Sequence, residues 1–246
     1  MPGPGGREVG EVGRFKPVRA LLFDLDGTLI DAETQTDEAV TAVVARHGVA
    51  GFTLPATETH GRTWAHVAEV IRTRTSIDLP APVLAAELLA YWNAATAGAK
   101  PLPGAAGALR EATAHGLKLA VVSSSPRTVI DRFLDRLGAA DLIDPRARIG
   151  GGDVRNGKPD PEGFLTAARV LEVEPGDALV FEDSRAGLLA ARAAGMRSLF
   201  VTCCADDIAG NAPLATASFT DYRSLPPHFW EQLIAGTVDL DGRSFT

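Results

Sequence analysis

The 246-residue chain is poor in cysteine: it has only Cys203 and Cys204, and they are adjacent. Neighbouring cysteines build no disulfide framework and have no zinc-site spacing. They read as two small apolar residues at a strand end, in a chain expected in a reduced cytoplasm. No apolar run approaches the ~18 residues of a membrane span, so no membrane partner is expected. Met1 to Gly13 is rich in Pro and Gly and lacks the apolar stretch of a signal peptide. Residues 1–16 are therefore read as a disordered leader. Positive charge is also short, with 24 Lys and Arg against 31 Asp and Glu, a net charge of −7. Such a chain is a poor binder of nucleic acid or anionic membrane. Any phosphate it holds must meet a local cation, a metal or backbone N–H groups. What the chain does have is 46% hydrophobic and 22% charged residues, a balance that argues for a folded protein with a sizeable core.

Hydrophobic patterning divides that chain. Val18 to Phe23 reads as a short buried strand ending at Asp24-Leu25-Asp26-Gly27-Thr28. Residues 32–99 then look all-helical, with apolar spacing at Val40, Val43 and Val44 and further stretches at Trp64–Thr73 and Val83–Ala97. Pro80 and Pro82 punctuate between the last two. After the connector Lys100-Pro101-Leu102-Pro103-Gly104 the pattern alternates. Strands are expected at Lys118–Val122, Ala147–Gly150, Ala178–Phe181 and Ser198–Thr202. Helices are expected at Ala105–His115, around Val129–Leu137, at Pro161–Leu171 and at Ser184–Ala194, the last capped by Ser184 and closed by Gly195. Alternating strands and helices predict an α/β fold, a Rossmann-like parallel sheet wrapped by helices. The core is assigned to 17–31 and 100–246, with 32–99 an inserted helical cap.

In an open parallel sheet, ligands bind at the carboxyl ends of the strands. Those ends carry Asp24 and Asp26, then Ser123-Ser124-Ser125, then Glu182-Asp183, with Lys158 entering through Gly157-Lys158-Pro159. A lone Asp after a strand is usually a turn or cap residue, and a lone Lys in a loop is usually solvated. Four carboxylates gathered at one edge repel one another unless a cation or proton sits among them. Oxygen ligands suit Mg²⁺, and a lysine with a serine opposite suits a phosphate.

The segment Phe23-Asp24-Leu25-Asp26-Gly27-Thr28-Leu29-Ile30-Asp31 resembles the first motif of the haloacid dehalogenase superfamily. Ser123 resembles the second, Lys158-Pro159-Asp160-Pro161 the third and Phe181-Glu182-Asp183-Ser184 the fourth. The run Glu182 to Gly187, followed by Ala193-Ala194-Gly195-Met196, is similar to the β-phosphoglucomutase-like branch, whose helical cap occupies the position of 32–99. The resemblance implies Asp24 as nucleophile and Asp26 as general acid and base. It implies Mg²⁺ on the Asp24 carboxylate, the Asp26 carbonyl and Asp183, with Glu182 close by. Ser123, Ser124 and Lys158 would hold the phosphoryl group. A monomer or weak homodimer is expected. The expected reaction is Mg²⁺-dependent hydrolysis of a small phosphorylated metabolite, a sugar or polyol phosphate, through an aspartyl-phosphate.

Alternatives stay in view. Mutases of this branch carry a cap histidine about five residues past the position of Asp31, and Asp31 to Asp37 contains none. A dehalogenase proper lacks the second aspartate of Asp-x-Asp, which is present here as Asp26. A catalytically silent binding protein is disfavoured because every catalytic position holds the expected residue type. Arg62 and Trp64 lie in a cap segment that faces substrate in this branch, although Trp64 also reads as cap core. Arg127, just past the serine loop, is either a surface charge or a further substrate contact. Gly152 to Lys158 matches the opening of a P-loop, but Pro159 stands where Ser or Thr is needed. His60 and His66, six apart, do not share a helix face, so a metal pair is not expected. Asp239-Leu240-Asp241-Gly242 repeats the first motif's letters near the chain end. It is read as a surface turn that no strand follows.

Overall fold

The computed structural model describes residues 16–240 and 243–245. Its strands are β1 (Ala20–Phe23), β2 (Lys118–Val122), β3 (Arg148–Ile149), β4 (Ala178–Glu182), β5 (Arg197–Val201), β6 (Ala217–Phe219) and β7 (Ser244–Phe245). All pair in parallel in one sheet of order β3-β2-β1-β4-β5-β6-β7. The strand order reverses at β1, so the C-terminal end of β1 is the switch point where such sheets bind ligands. Phe23 stands opposite Val121 and Phe181. The ladder runs one residue further, through Asp24 N–H to Phe181 O and Ser123 N–H to Ile149 O, both at 2.9 Å. The first carboxylate and the serine are thus fixed by backbone bonds at the sheet's edge.

Helices α1 (Glu33–Arg46), α2 (Ala56–Thr59), α3 (Trp64–Arg74) and α4 (Ala81–Ala95) form the insertion. Helices α5 (Ala105–Ala114), α6 (Arg127–Leu137), α7 (Glu162–Val170), α8 (Arg185–Ala193), α9 (Ile208–Asn211) and α10 (Phe229–Ala235) accompany the sheet. The insertion has its own apolar cluster, built from Val40, Val43, Val44, Val67, Ile71, Leu84 and Leu88. The larger cluster fills the sheet and also takes Ala39 and Trp92 from the insertion. Within it Phe23 stacks on Phe181 at 4.6 Å between ring centres, a pairing that contributes about 0.5–1.5 kcal/mol beyond area burial.

Several expectations change. The sheet has seven strands where five were expected. β6 and β7 are three and two residues long, too short to show a period. A strand does follow Asp239-Leu240: Ser244 and Phe245 pair with Ser218 and Phe219. Asp241 and Gly242 lie outside the described residues, as does the expected leader up to residue 15. Pro82 does not break a helix; it sits in the first turn of α4, where an N–H has no partner to lose. Ser184 caps α8 as expected, its Oγ accepting from Gly187 N–H at 3.1 Å. No helix among the described residues is long and apolar enough to cross a membrane.

Candidate active site

Asp24 is 5% exposed, and the Lys158 ammonium bonds its Oδ1. The same Nζ donates to Glu182 Oε1 at 2.5 Å. The other oxygen of Glu182 accepts from Ser184 N–H at 2.8 Å and Ser184 Oγ at 2.9 Å. Glu182 is therefore fully committed: it anchors the lysine and the start of α8. Gly187 is required beneath it, since a Cβ there would stand 1.7 Å from Glu182 Oε1.

Asp26 lies across the loop. Its Oδ2 accepts from Ser125 Oγ at 3.0 Å, while Oδ1 is buried with no hydrogen-bond partner among the described residues. Ser125 is held in turn, its N–H donating to Ser123 Oγ at 3.0 Å. Asp183 Oδ1 accepts from Thr28 Oγ1 at 3.0 Å. Asp183 Oδ2 passes over Gly27, where a Cβ would lie only 2.0 Å away. That contact and a φ of +77° restrict position 27 to glycine. Tyr222, in the segment after β6, donates to Thr28 O at 3.1 Å and braces the loop from below.

The electrostatics follow from crowding. Burial pushes the Asp24 carboxyl up to about 8, against the lowering pull of Lys158. Burial likewise raises Asp26 to about 6, with the Ser125 bond opposing. Asp183 and Glu33 are both held well above the ordinary carboxylate range, by burial first and then by their acidic neighbours. Burial works to lower Lys158, but Asp24 and Glu182 outweigh it and keep the ammonium charged. One buried lysine does not balance this many buried carboxyls, so the site favours a further cation or bound protons. Among the described residues no group of three or more metal-ligating side chains forms. Two buried carboxyls, Asp24 and Asp183, could hold a cation here. Such a pair fits Mg²⁺, which takes one or two protein carboxylates and fills its shell with water and phosphate oxygen.

The sequence-predicted residues divide here. Asp24, Asp26, Ser123, Ser124, Arg62 and Trp64 line one cavity of about 30 Å³. Ser124 Oγ donates to Gly61 O at 2.8 Å, tying sheet edge to insertion. Arg62 Nη1 donates to Lys158 O at 3.1 Å, so its charge rests on backbone and does not reach Asp24 in this conformation. Trp64 is both wall and packing: it stands edge-on to Trp92 at 6.2 Å and touches both apolar clusters. Arg127 is not brought into the site. Its guanidinium bonds the Pro145 carbonyl on the surface, because α6 carries it away from the serine loop. Sequence reasoning missed Ser125 as a direct partner of Asp26, Thr28 as the clamp on Asp183, and Glu33, Thr36, Thr59 and Trp92 as cavity lining. Only Ser125 and Thr28 had a signal, since both lie inside motifs.

The comparisons with known proteins agree with this geometry. A family model described as "Hydrolase: haloacid dehalogenase-like hydrolase" matches residues 18–195. The chain belongs to the haloacid dehalogenase-like hydrolases. Validoxylamine A 7′-phosphate phosphatase of Streptomyces hygroscopicus subsp. limoneus is 40% identical, over 72% of this chain and 83% of that protein. Fructose-1-phosphate phosphatase of Escherichia coli (strain K12) is 30% identical, over 76% of this chain and 98% of the other. Among solved structures, CbbY from Rhodobacter sphaeroides in complex with phosphate is similar with a TM-score of 0.69. It is 26% identical, with 85% of this chain and 96% of that one covered. β-Phosphoglucomutase from Clostridium difficile superposes with a TM-score of 0.72 over 89% of this chain and 97% of that one. At 23% identity that likeness is one of fold.

Proposed function

We propose that this hydrolase is a Mg²⁺-dependent phosphatase that cleaves a sugar or polyol phosphate through an aspartyl-phosphate on Asp24. The observation that carries the reading is the division of labour between two buried carboxyls. Asp24 is held by Lys158, while Asp26 is held through one oxygen by Ser125 and keeps the other unpartnered in the same cavity. An Asp24 oxygen attacks phosphorus in line as the bond to the alcohol oxygen breaks. Asp26, whose carboxyl is raised by burial, donates its proton to that leaving oxygen; Asp24 is raised further, to about 8, so the charge of a bound cation would be needed to make Asp24 the ionised member of the pair. Asp26 then takes a proton from the attacking water, and hydrolysis restores the Asp24 carboxylate.

Asp24, Asp183 and the Asp26 carbonyl would hold Mg²⁺, whose charge favours ionised Asp24 and offsets phosphoryl negative charge. Lys158 and Ser123 bind phosphoryl oxygens from the opposite side, and Glu182 positions the lysine. A cavity of about 30 Å³ is far below the ~300–1,000 Å³ of small-molecule sites, so the cap must move to admit an ester. The sugar and polyol class is supported by relatives named as phosphatases of such esters. Thr36, near the place of the mutase histidine, accepts from Trp92 Nε1 at 3.2 Å and does not titrate near neutral pH as a histidine would. Water is therefore the expected phosphoryl acceptor.

The test is phosphate release from p-nitrophenyl phosphate and from a panel of sugar and polyol phosphates, with Mg²⁺ and with EDTA. Metal-dependent release that disappears in Asp24→Asn supports the reading. Full activity in metal-free buffer removes the metal site. Rapid conversion of β-glucose 1-phosphate to glucose 6-phosphate, primed by the 1,6-bisphosphate and with negligible phosphate release, replaces the phosphatase by a mutase.

A further inference from the structure

Beside the catalytic cavity the described residues line a second, solvent-open one of about 540 Å³, between α1 and the segment after β5. Its lining includes Glu33, Asp37, Glu38 and Asp206 with His60, and contains neither lysine nor arginine. Glu33 lines both cavities, so one carboxyl forms part of the wall they share.

Acidic residues on a surface are usually just solvated, but two buried atoms here make the case different. Glu33 is 5% exposed and His60 8%. Among the described residues neither Glu33 Oε2 nor His60 Nε2 has a hydrogen-bond partner. They stand 3.4 Å apart, with Asp37 Oδ1 3.5 Å from the same nitrogen. The other ring nitrogen is committed, 2.9 Å from Asp206 Oδ2. Buried polar atoms in folded proteins are normally satisfied. A ligand hydroxyl would satisfy Glu33 Oε2 but leave the negative charge of Asp37, Glu38 and Asp206 unanswered. An ammonium answers both needs, with three N–H donors and one positive charge.

We propose that this acidic cavity receives a protonated amine of the substrate, so that the preferred esters are amino-substituted sugar or polyol phosphates. The proposal rests on the phosphatase reading: the phosphate sits at Asp24, the ester oxygen at Asp26, and the alcohol portion runs past Glu33 toward Asp37 and Asp206. Glu33, Asp37 and Asp206 then act as specificity residues.

The experiment compares matched pairs that differ in one amine: glucosamine 6-phosphate against glucose 6-phosphate, and 3-aminopropyl and 6-aminohexyl phosphate against propyl and hexyl phosphate. In wild-type protein at least one amine member should show kcat/KM about tenfold or more above its neutral partner. That preference should shrink several-fold at high salt, because the charges are partly solvent-facing. In a Asp37→Asn, Asp206→Asn double variant it should fall to within about twofold of parity, with p-nitrophenyl phosphate turnover unchanged. The side chains of Asp37 and Asp206 are 55% and 57% exposed, and the amides match them in shape, so the fold is spared. Parity in every pair in wild-type protein, with phosphate still released, overturns the amine site and leaves the phosphatase reading standing. No release from any ester overturns the phosphatase reading. Calorimetric binding of 6-aminohexyl against hexyl phosphate then judges the amine site alone: tighter aminohexyl binding supports it and equal binding overturns it.

Discussion

The edge of the sheet and the face of the insertion meet over the same cavity, but they are built on different principles. On the sheet side most of the chemical groups, Asp26 excepted, are held by more than one contact. Asp24 is fixed by the β1–β4 ladder and by Lys158, Glu182 by three donors, and Asp183 by Thr28 and the gap at Gly27. Between the two sides, Arg62 of the insertion and Ser124 of the sheet edge each make a single bond to a backbone carbonyl across the cleft, and Trp64 of the insertion contributes packing. Redundant fixing suits a reacting centre, where a small misplacement is costly. Single reversible contacts suit a surface that must part and close again. The proposed chemistry accordingly falls on the sheet edge, and the insertion supplies most of the surface proposed to set selectivity.

The largest expected effect breaks the sheet side outright. Asp24→Asn should remove turnover, a loss of at least ~10⁴-fold, because no other group supplies the bond-forming oxygen. Circular dichroism should show an unchanged fold. Wild-type turnover in this variant would refute the nucleophile assignment. Asp26→Ala should follow at roughly 10²–10⁴-fold in kcat. The loss should be smaller for p-nitrophenyl phosphate than for a sugar phosphate, because a good leaving group needs less protonation. An equal loss on both esters would mean that Asp26 does not protonate the leaving group.

The next prediction concerns stability, and it separates the crowded sheet edge from the solvated cap. A carboxyl whose folded pKa lies above its unfolded value stabilises the fold while protonated. That contribution is complete below about pH 4 and is lost as pH rises through about 6 for Asp26 and about 8 for Asp24. The metal-free protein should therefore lose Tm between pH 5 and 8, and Asp24→Asn should flatten the decline. Mg²⁺ favours the ionised carboxylates, so it should raise Tm more at pH 8 than at pH 5. Equal Mg²⁺ shifts at both values would detach the metal from these groups.

The difference between the two sides also explains what the sequence disclosed. The four motifs are short, local and located at strand ends, so Asp24, Asp26, Ser123, Lys158 and Asp183 could be placed before any coordinates. Helix and strand alternation gave the parallel sheet, because buried strands and amphipathic helices have distinct periods. Contacts between segments distant in sequence were not legible. Nothing local pairs Ser125 with Asp26, 99 residues away, or Thr28 with Asp183, 155 away. Arg127 shows the converse: nearness in sequence to the serine loop suggested a role, and the direction of α6 removed it. β6 and β7 gain their strand character from the neighbouring edge and not from their own pattern.

Cap substitutions should give smaller and more selective effects. Arg62→Ala and Trp64→Ala should leave p-nitrophenyl phosphate turnover within about threefold while changing the order of preference among sugar and polyol phosphates, each by about 1–2 kcal/mol in kcat/KM. Trp64→Ala should also lower Tm, because it opens a gap against Trp92 and both apolar clusters. If both variants keep the whole substrate order, the segment from Gly61 to Trp64 does not face the substrate during turnover.

The smallest expected effect is at Arg127, and it tests the comparison from its other end. A positive group just after the serine loop is a natural second partner for a phosphate, and its removal would then cost about 1–3 kcal/mol in kcat/KM. In the structure the guanidinium spends its hydrogen bond on the Pro145 carbonyl and lines no part of the catalytic cavity. The bond is solvent-exposed, and such contacts contribute little to stability. Arg127→Ala should accordingly change kcat/KM less than twofold for every ester in the panel, and Tm by no more than about 2 °C. A loss of tenfold or more confined to sugar and polyol phosphates would show that α6 turns this side chain inward when the cap closes on substrate. Selectivity would then be shared between the two faces of the cleft.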